Sequence, residues 1–286
     1  MSEKELPIRL ITPHDGVDAF RYALTSMIRD QRFSRELAWR MFLRDTQAMF
    51  RQSFLGYVWL VLPALANSLV WVFLSGTDVV SISSGQTPYP VFVFVGTLLW
   101  TAFNGSVVAS LSIVDEARGT LAKVNFPQEC LVLVAFGKSL LNTLATALCA
   151  IPFFLMYPVA FHWQMLLFPV GVLATMLAGT AFGLMMVPIS AMFSDLSRAI
   201  HLGLRFGFFL TPVIFPLPES GLGRTIMFWN PVTYLVVTSR AWLLGGETVL
   251  LPGFLCVTLL SLSMVCVGVM FLKVALPHII ERLGSG

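Results

Sequence analysis

Long apolar stretches are the feature of this sequence that most restricts its fold. Six of them lie at about residues 55–75, 88–114, 130–160, 165–193, 199–217 and 249–275. Each approaches or exceeds the roughly 20 mostly apolar residues that an α-helix needs to cross the hydrocarbon core of a bilayer. Hydrophobic residues make up 57% of the chain and charged residues 12%, whereas an ordinary soluble domain carries about 25% charged residues. The sequence therefore predicts an all-α polytopic membrane protein with about six transmembrane helices.

The basic residues are placed unevenly along the chain and predict its orientation. Nine of the 18 Lys and Arg lie in the first 51 residues. Sixteen lie in this region, at Lys138 and in the segments 115–129, 194–205 and 273–286. The connections predicted on the other side, 76–87, 161–164 and 218–248, hold only Arg224 and Arg240. Loops rich in Lys and Arg stay in the cytoplasm. Residues 1–32 and 277–286 are therefore predicted to be cytoplasmic tails on either side of a six-helix domain at 51–276.

Residues 33–50 precede the first apolar stretch and have an amphipathic pattern. Leu37, Met41 and Ala48 are among the apolar residues at helical spacing, and charged residues take most of the remaining positions. This pattern is typical of a helix that lies in the membrane interface with its polar face among the headgroups. The candidates for contact with lipid headgroups are Arg40, Arg44 and Arg51. An ordinary surface helix packed on protein is the alternative interpretation.

The sequence contains no recognisable catalytic or metal-binding constellation. The four His residues are scattered, and the four Cys residues show no CxxC spacing. Gly137-Lys138-Ser139 imitates the end of a phosphate-binding loop, but Val132 stands where that loop needs its first glycine. Ionisable residues are also missing from the middle of the spans, where ion-coupled transporters place them. We therefore expect no catalytic residue, metal site or cofactor, and any transport would need an external source of energy.

The connection at 115–129 is short and charged, and it contains Pro127 near its end. A brief helix across this loop would place Leu121 and Val124 on one side, with charged residues elsewhere. Such a helix can dock in a groove of a soluble partner. Simple solvation of a charged cytoplasmic loop is the alternative interpretation.

Aromatic side chains cluster in and beside three of the spans. The residues singled out are Tyr57, Trp59, Trp100, Phe103, Phe206 and Phe209, with Asn104 as a polar neighbour in the second span. Thr97 and Thr101 of the same span could add hydroxyl groups to a substrate path or serve helix–helix packing. Aromatic rings offer broad contact to the apolar C–H faces of sugars, so these residues are candidates for lining a pore. Interfacial belts and lipid-facing bulk are the alternative, because aromatic residues are common in both places.

The segment 216–235 is neither a polar loop nor a clean span, and it contains Pro216, Trp229 and Asn230. Irregular backbone at membrane depth persists only where protein or a water-filled cavity shields it. The segment is therefore interpreted as a re-entrant helical pair or, alternatively, as a periplasmic cap over the spans.

Six short motifs carry a resemblance to a known family. They are RQSFLGYVW at 51–59, PYPVF at 88–92, KVNFP at 123–127, FSDL at 193–196, FLTPVIFP at 209–216 and WNP at 229–231. Their order and spacing resemble the ABC-2 type transmembrane permease subunit of bacterial polysaccharide exporters, which move O-antigen or capsule. The similarity covers about residues 33–283. It departs from the family pattern at 116–119, where this chain has Glu-Ala-Arg-Gly.

The resemblance implies a homodimer in the bacterial inner membrane, driven by two copies of a separate ATPase that binds ATP and magnesium. The loop at 115–129 would act as a coupling helix, and the helix at 33–50 would complete the ATPase contact. A lipid-linked polysaccharide would pass through an aromatic channel along the dimer axis. Membrane lipids are expected as further partners, and nucleic acid is not. The implied coupling residues are Glu116, Arg118, Lys123, Asn125, Phe126 and Pro127, and those implied near the periplasmic exit are Pro216, Trp229 and Asn230.

Three other functions stay open on sequence grounds. A permease of the same family could carry another cargo, such as a teichoic acid, a lipid or a drug. A membrane-embedded enzyme of glycan or lipid metabolism would need clustered carboxylates or His at a membrane face, and the sequence does not offer them. A structural scaffold without transport activity would not associate with an ATPase.

Overall fold

The computed structural model of the chain describes residues 31–51, 56, 58–76, 87–116, 128–157 and 159–284. Within these residues the fold is all-α, as predicted, and no residue is in a strand. The helices are α1 Gln31–Arg51, α2 Val58–Gly76, α3 Tyr89–Leu111, α4 Glu129–Leu148, α5 Ala150–Met156, α6 Phe168–Met192, α7 Ser194–Gly207, α8 Leu222–Trp229, α9 Pro231–Leu244 and α10 Leu251–Gly284. A short 3-10 helix, Trp163–Leu167, leads into α6. Most of the predicted N-terminal tail lies outside the described residues.

Four helical segments in the described part of the chain are long and apolar enough to cross a membrane. They are Tyr89–Leu111, Glu129–Met156, Trp163–Met192 and Leu251–Leu276, which correspond to the second, third, fourth and sixth predicted spans. A turn at Cys149 divides the segment Glu129–Met156 into α4 and α5. The apolar run of α2, Val58–Val70, is shorter. The total number of spans and the side on which the termini lie stay predictions.

The prediction of a helix over 199–217 is wrong in its extent. Helix α7 ends at Gly207, and turns and bends follow it. Pro212 accounts for part of the break: its ring disfavours helical backbone at Thr211 and removes one N–H donor. Carbonyl groups of this irregular segment, residues 208–216, bond to side chains of other elements. One example is Tyr89, whose hydroxyl donates to the Ile214 carbonyl oxygen at 3.1 Å. Side chains from other elements therefore supply hydrogen bonds that backbone amides would have supplied in a longer helix.

Helix α3 lies at the centre of the fold and is buried along most of its length. It packs most extensively against α6, and two glycines of α6 allow that close approach. A β-carbon on Gly179 would lie 2.3 Å from the Phe103 carbonyl oxygen, and one on Gly183 would lie 2.6 Å from the Ser110 β-carbon. Small residues at such contacts are typical of membrane helices. The α3–α6 pair is thus a tightly packed support for the helices around it.

Helix α1 covers the predicted amphipathic segment and packs one face against protein. Ala38 and Met41 are buried in the same cluster as Cys130 and Leu131 of α4. Trp39, by contrast, is 60% exposed. The alternative interpretation, a helix packed on protein, therefore describes one face of α1. The position of its other face in the membrane interface stays a prediction.

Two helices follow the irregular segment. Helix α8 lies within 216–235, the region predicted as re-entrant, and α9 begins there but continues to Leu244. Asn230 lies between α8 and α9, and its side chain accepts a hydrogen bond from the Val232 amide at 3.0 Å. This bond caps the start of α9. Gly245, with a φ of 76°, ends α9 in the left-handed conformation that glycine adopts readily. The depth of the pair in the membrane stays a prediction.

Candidate functional site

A cavity of about 690 Å³ lies between α2, α3, α4 and α7. It opens on the surface of the single chain, where Trp59 and Phe209 are 57% and 52% exposed. The lining residues are Trp59, Leu60, Pro63 and Asn67 from α2, Thr97, Trp100, Thr101, Asn104 and Val108 from α3, Asn142 from α4, and His201, Leu204, Arg205, Phe208 and Phe209 from α7 and the turn after it. In the described part of the chain, this cavity is the main candidate for a substrate path.

One face of α7 forms a wall of this cavity. His201, Leu204, Arg205 and Phe208 are spaced by three and four residues, so they lie on the same side of the helix. Leu204 and Phe208 are buried against the core and anchor that side. Phe206 is 61% exposed and does not line the cavity. The amphipathic pattern of α7 therefore decides which of its residues can meet a substrate.

Trp100 is at the centre of the aromatic packing in the cavity wall. Its ring centroid lies 6.1 Å from that of Phe208, in an edge-to-face arrangement, and 5.6 Å from that of Phe103. Phe208 packs in turn on Phe209, with 5.2 Å between ring centroids. Gly207 leaves room for the indole, because a β-carbon there would lie 2.9 Å from Trp100 Cη2. These contacts fix the aromatic surface in one arrangement.

The polar part of the lining comes from several helices. Asn67, Asn104 and Asn142 bring amide groups from α2, α3 and α4, and two threonines of α3 add hydroxyl groups. Among the described residues that line the cavity, none is Asp or Glu, whereas Arg205 and His201 are present. Aromatic faces combined with amides and hydroxyls suit a hydrated substrate that contains rings, such as a glycan.

The structure brings together four of the seven residues predicted to line a channel. These four are Trp59, Trp100, Asn104 and Phe209. Phe103 and Trp100 are both 8% exposed, but only Trp100 lines the cavity, and Phe103 belongs to the core behind it. Phe206 does not line the cavity either. Tyr57 lies outside the described residues. A channel function for any of these residues stays a prediction.

Four polar residues of the lining were missed by the sequence analysis. They are Asn67, Asn142, His201 and Arg205. Arg205 was counted only as a basic residue on the cytoplasmic side, and His201 only as a scattered histidine. A helical projection of 194–207 would have placed both on the face of Leu204. No comparable signal marks Asn67 or Asn142, because their neighbours come from distant parts of the chain.

Ion pairs join α1, Glu116 in the residues that follow α3, and α4. Lys138 Nζ lies 2.9 Å from Asp45 Oδ2 and 2.5 Å from Glu116 Oε2. Ser112 Oγ donates to Glu116 at 2.8 Å, and Arg44 pairs with Asp45 at 2.9 Å. The Lys138 side chain is 16% exposed, so protein groups rather than bulk water surround most of it. We call Asp45, Glu116 and Lys138 the ionic junction.

The electrostatic environment keeps Asp45 charged. Burial alone would raise the pKa of Asp45, but hydrogen bonds and charge attraction from Lys138 and Arg44 outweigh it and hold the pKa below its ordinary value of 3.8. Asp45 is therefore ionised at neutral pH, and the ionic junction is intact under those conditions.

Of the six predicted coupling residues, Glu116 is the one that lies in the described part of the structure. Arg118, Lys123, Asn125, Phe126 and Pro127 lie outside the described residues. Glu116 is half exposed, and its carboxylate bonds to Lys138. The start of the predicted coupling loop is therefore attached to α4 through this ion pair.

The arginines predicted to meet lipid headgroups lie on α1. Arg40 pairs with Glu36 at 2.6 Å, and Arg44 pairs with Asp45. Their side chains are still 74% and 60% exposed. Arg51 ends α1, and its side chain lies outside the described part of the structure. Contact of these residues with lipid stays a prediction.

The residues predicted near the periplasmic exit have different environments. Asn230 Nδ2 donates to Thr211 Oγ1 at 2.8 Å and so ties the α8–α9 bend to the irregular segment. Trp229 is 84% exposed. Pro216 lies in the non-helical stretch between α7 and α8.

Arg240 is a buried cation that the sequence analysis placed in an external connection. It lies on α9, is 5% exposed, and donates to the carbonyl oxygen of Val213 at 3.0 Å and to that of Pro212. Its guanidinium carbon also lies 3.9 Å from the centroid of the Phe92 ring, within the range of a cation–π contact. The missed signal was a lone arginine inside the apolar stretch 232–244.

Comparison with known proteins agrees with this architecture. The chain matches the family model described as ABC-2 type transporter over residues 36–244, which contain the cavity, the ionic junction and Arg240. It is 30% identical over 222 residues to the O-antigen export system permease protein RfbA of Myxococcus xanthus, covering 75% of this chain and 83% of that protein. Two proteins of the same name from Klebsiella pneumoniae are 25% and 24% identical over 213 and 212 residues, or 71% of this chain and 78% of each relative. The chain therefore belongs to the ABC-2 type transporter family.

Proposed function

We propose that the chain is the permease subunit of an ATP-driven exporter that moves lipid-linked polysaccharide, of the O-antigen or capsule type, across the bacterial inner membrane. The observation that carries this proposal is the match to three O-antigen export permeases over more than 70% of the chain. The four apolar helices of spanning length support a position in a membrane.

The composition of the cavity supports a glycan cargo. Trp59, Trp100 and Phe209 offer flat apolar faces, and Asn104 and Asn142 offer amide donors and acceptors. Such a surface contacts many sugar rings weakly, so that a polymer can slide without being trapped. A small apolar drug would gain little from the amides, because burying them without partners is costly.

A homodimer would complete the path that one chain leaves open. Exposed aromatic residues, such as Trp59 and Phe209, border the cavity in the single chain. We place a second copy opposite this opening, so that two half-channels enclose the polymer away from lipid. Twofold pairing is the commonest closed symmetry among soluble homo-oligomers, and it would place the two openings face to face.

The energy would come from two copies of a separate ATPase, which bind ATP and magnesium, while this chain performs no catalysis. ATPase closure would push on the coupling loop, including Glu116 and the predicted contact residue Lys123. The ionic junction would carry that displacement to α4 and α1, because Lys138 holds Glu116 and Asp45 together. The resulting tilt of α3 and α4 would widen the seam between the two copies.

Reconstitution tests this proposal directly. The chain is co-purified with the ATPase encoded beside it and placed in proteoliposomes that contain lipid-linked polysaccharide. We expect the polysaccharide to stimulate ATP hydrolysis and to appear inside the vesicles only when ATP is present. Stimulation by a teichoic acid, a lipid or a drug but not by the polysaccharide would assign the other cargo, and transport by the chain without any ATPase would contradict the proposal.

Aromatic variants test whether the cavity is the path. Trp100→Ala with Phe209→Ala removes two rings from the cavity wall, and we expect export to fall at least several-fold while the ATPase still co-purifies. Phe206→Ala is the control for Phe209→Ala, because Phe206 is exposed to a similar extent as Phe209, 61% against 52%, but does not line the cavity. Equal export by the double variant and the control would contradict a path through this cavity.

A further inference from the structure

The cavity contains a cation that the rest of the described chain does not neutralise. Arg205 lines the cavity from α7. Within the described residues, no carboxylate forms an ion pair with it, whereas Arg40, Arg44, Arg198 and Lys138 each have an acidic partner. An arginine without a carboxylate partner, directed into a cavity, is available for an anion from outside the chain.

His201 extends the same donor surface. It lies four residues before Arg205, one helical turn away on the same face of α7, and it lines the same cavity. An imidazole can donate one hydrogen bond when neutral and two when charged. The arginine fork and the imidazole together therefore present several N–H donors to one side of the cavity.

The surroundings complete a site for an anion that carries further groups. Asn104 and Asn142 add amide donors, and the described lining has no acidic residue that would repel a negative charge. Leu60, Pro63 and Val108 add apolar surface to the same cavity. The cavity thus combines donors for an anion with an apolar surface for a hydrocarbon chain.

We propose that Arg205 and His201 bind the phosphoryl headgroup of a lipid-linked substrate inside this cavity. The guanidinium fork matches phosphate oxygens in pairs, and charge-assisted bonds of this kind are the strong ones. The proposal rests on the proposed export function and deepens it, because it assigns recognition of the substrate's headgroup to α7. Arg40 and Arg44 of α1, the earlier candidates for headgroup contact, are paired with carboxylates.

Titration with a short polyprenyl pyrophosphate tests the site. The full chain is purified and placed in nanodiscs of phosphatidylcholine, and farnesyl pyrophosphate is added while tryptophan fluorescence is followed. Trp59 and Trp100 line the cavity, so occupancy changes their environment. Farnesol, which has the same chain without the phosphates, is the parallel probe. We expect saturable binding of the pyrophosphate and at least tenfold weaker binding of farnesol.

Substitutions in α7 separate this site from general surface charge. We expect Arg205→Gln to weaken farnesyl pyrophosphate binding about tenfold, and His201→Gln to weaken it less. Arg205→Lys keeps the charge but loses the planar fork, so its affinity should fall between that of the wild type and that of Arg205→Gln. Arg198→Gln is the matched control, because Arg198 lies on the same helix, pairs with Asp195 and does not line the cavity.

Several outcomes would overturn the proposal. Binding by Arg205→Gln and by His201→Gln within twofold of the wild type would do so, as would equal weakening by the Arg198→Gln control. Should Arg205→Gln not elute as a folded protein, Arg205→Lys and His201→Gln carry the test. Nanodiscs with half phosphatidylglycerol distinguish the source of the headgroup: full competition by that lipid would assign the site to bulk lipid and overturn a substrate role. The titration uses neither ATPase nor polysaccharide, so its failure would leave the export proposal to its own test.

Discussion

Arg240 shows how one side chain can hold an irregular piece of backbone inside this protein. Its guanidinium bonds to the carbonyl oxygens of Pro212 and Val213 and lies over the Phe92 ring. Burying a charge is costly, and the hydrogen bonds and the ring recover part of that cost. Without this arginine the two carbonyl groups would lose their partner. Arg240 therefore stabilises the middle of the irregular segment.

We predict that Arg240→Met destabilises the protein. Two buried carbonyl groups would be left unpaired, each at a cost of about 1–3 kcal/mol, and removal of the buried charge would offset part of this. The net loss should be about 2 kcal/mol, seen as a lower thermal midpoint of the purified chain in detergent. Arg224→Met is the control, since Arg224 is exposed, and should change stability by less than about 0.5 kcal/mol. Equal midpoints for Arg240→Met and wild type would contradict the anchoring role.

The packing of the helices depends on how closely α3 and α6 approach each other. Gly179 faces the α3 backbone at a distance that admits no β-carbon. Gly203 on α7, in contrast, has open space around it, with no atom within 4 Å of a built β-carbon. The packing therefore excludes a larger residue at Gly179 and leaves room for one at Gly203.

We predict opposite effects for the same substitution at these two glycines. Gly179→Ala forces α3 and α6 apart, and such overpacking costs about 1–3 kcal/mol. Gly203→Ala meets no atom and gains helix propensity, worth up to about 1 kcal/mol. Thermal unfolding in detergent should therefore show a lower midpoint for Gly179→Ala and an unchanged or higher one for Gly203→Ala. A lower midpoint for both would show that glycine is needed for another reason.

The ionic junction gives the contact between α1 and α4 a dependence on pH. The pKa of Asp45 is lower in the folded chain than its ordinary value of 3.8. A carboxylate with a lowered pKa contributes stability above its unfolded pKa, and that contribution is lost as the pH falls through the folded value. The stabilisation is therefore complete at neutral pH and disappears in acid.

We predict that Asp45→Asn lowers stability at pH 7 by about 1 kcal/mol or less, as expected for a partly exposed ion pair. The difference from wild type should shrink once the pH falls below about 3.8. Asp195→Asn is the matched control, because Asp195 pairs with Arg198 on an exposed surface and should have little effect at any pH. A difference between wild type and Asp45→Asn that stays constant from pH 7 to pH 3 would show that charge is not its cause.

The distribution of basic residues along the whole chain predicts its orientation in the membrane. Sixteen of the 18 Lys and Arg lie on the predicted cytoplasmic side. Arg240, one of the two others, is buried in protein and so does not act as a loop charge. Its removal from the count makes the bias stronger.

We predict that both termini are cytoplasmic. A fluorescent protein fused to either end should fluoresce in bacterial cells, and alkaline phosphatase fused to either end should be inactive, because it requires the periplasm. Phosphatase fused between α2 and α3 is the positive control for the outside. An active phosphatase at one terminus alone would show an odd number of spans.

Much of the candidate site could be predicted because its residues are chemically distinctive. Trp59, Trp100, Asn104 and Phe209 stand out in apolar sequence, and all four line the cavity. Phe206 and Phe103 were chosen for the same reason, but helical phase turns the first outward and places the second in the core. Chemical type is local information, whereas the direction of a side chain depends on what packs around the helix.

The sequence by itself determined the all-α membrane fold and the amphipathic α1, because apolar length and helical period are properties of continuous segments. The tertiary structure alone decided where the fifth predicted span ends, since the Pro212 and Val213 carbonyls are satisfied by Arg240, which follows them by more than 25 positions. It also decided that Lys138 meets Asp45 and Glu116, and that Arg205 shares a cavity with Asn104. Such contacts join residues far apart in the chain, and no local pattern encodes their distance.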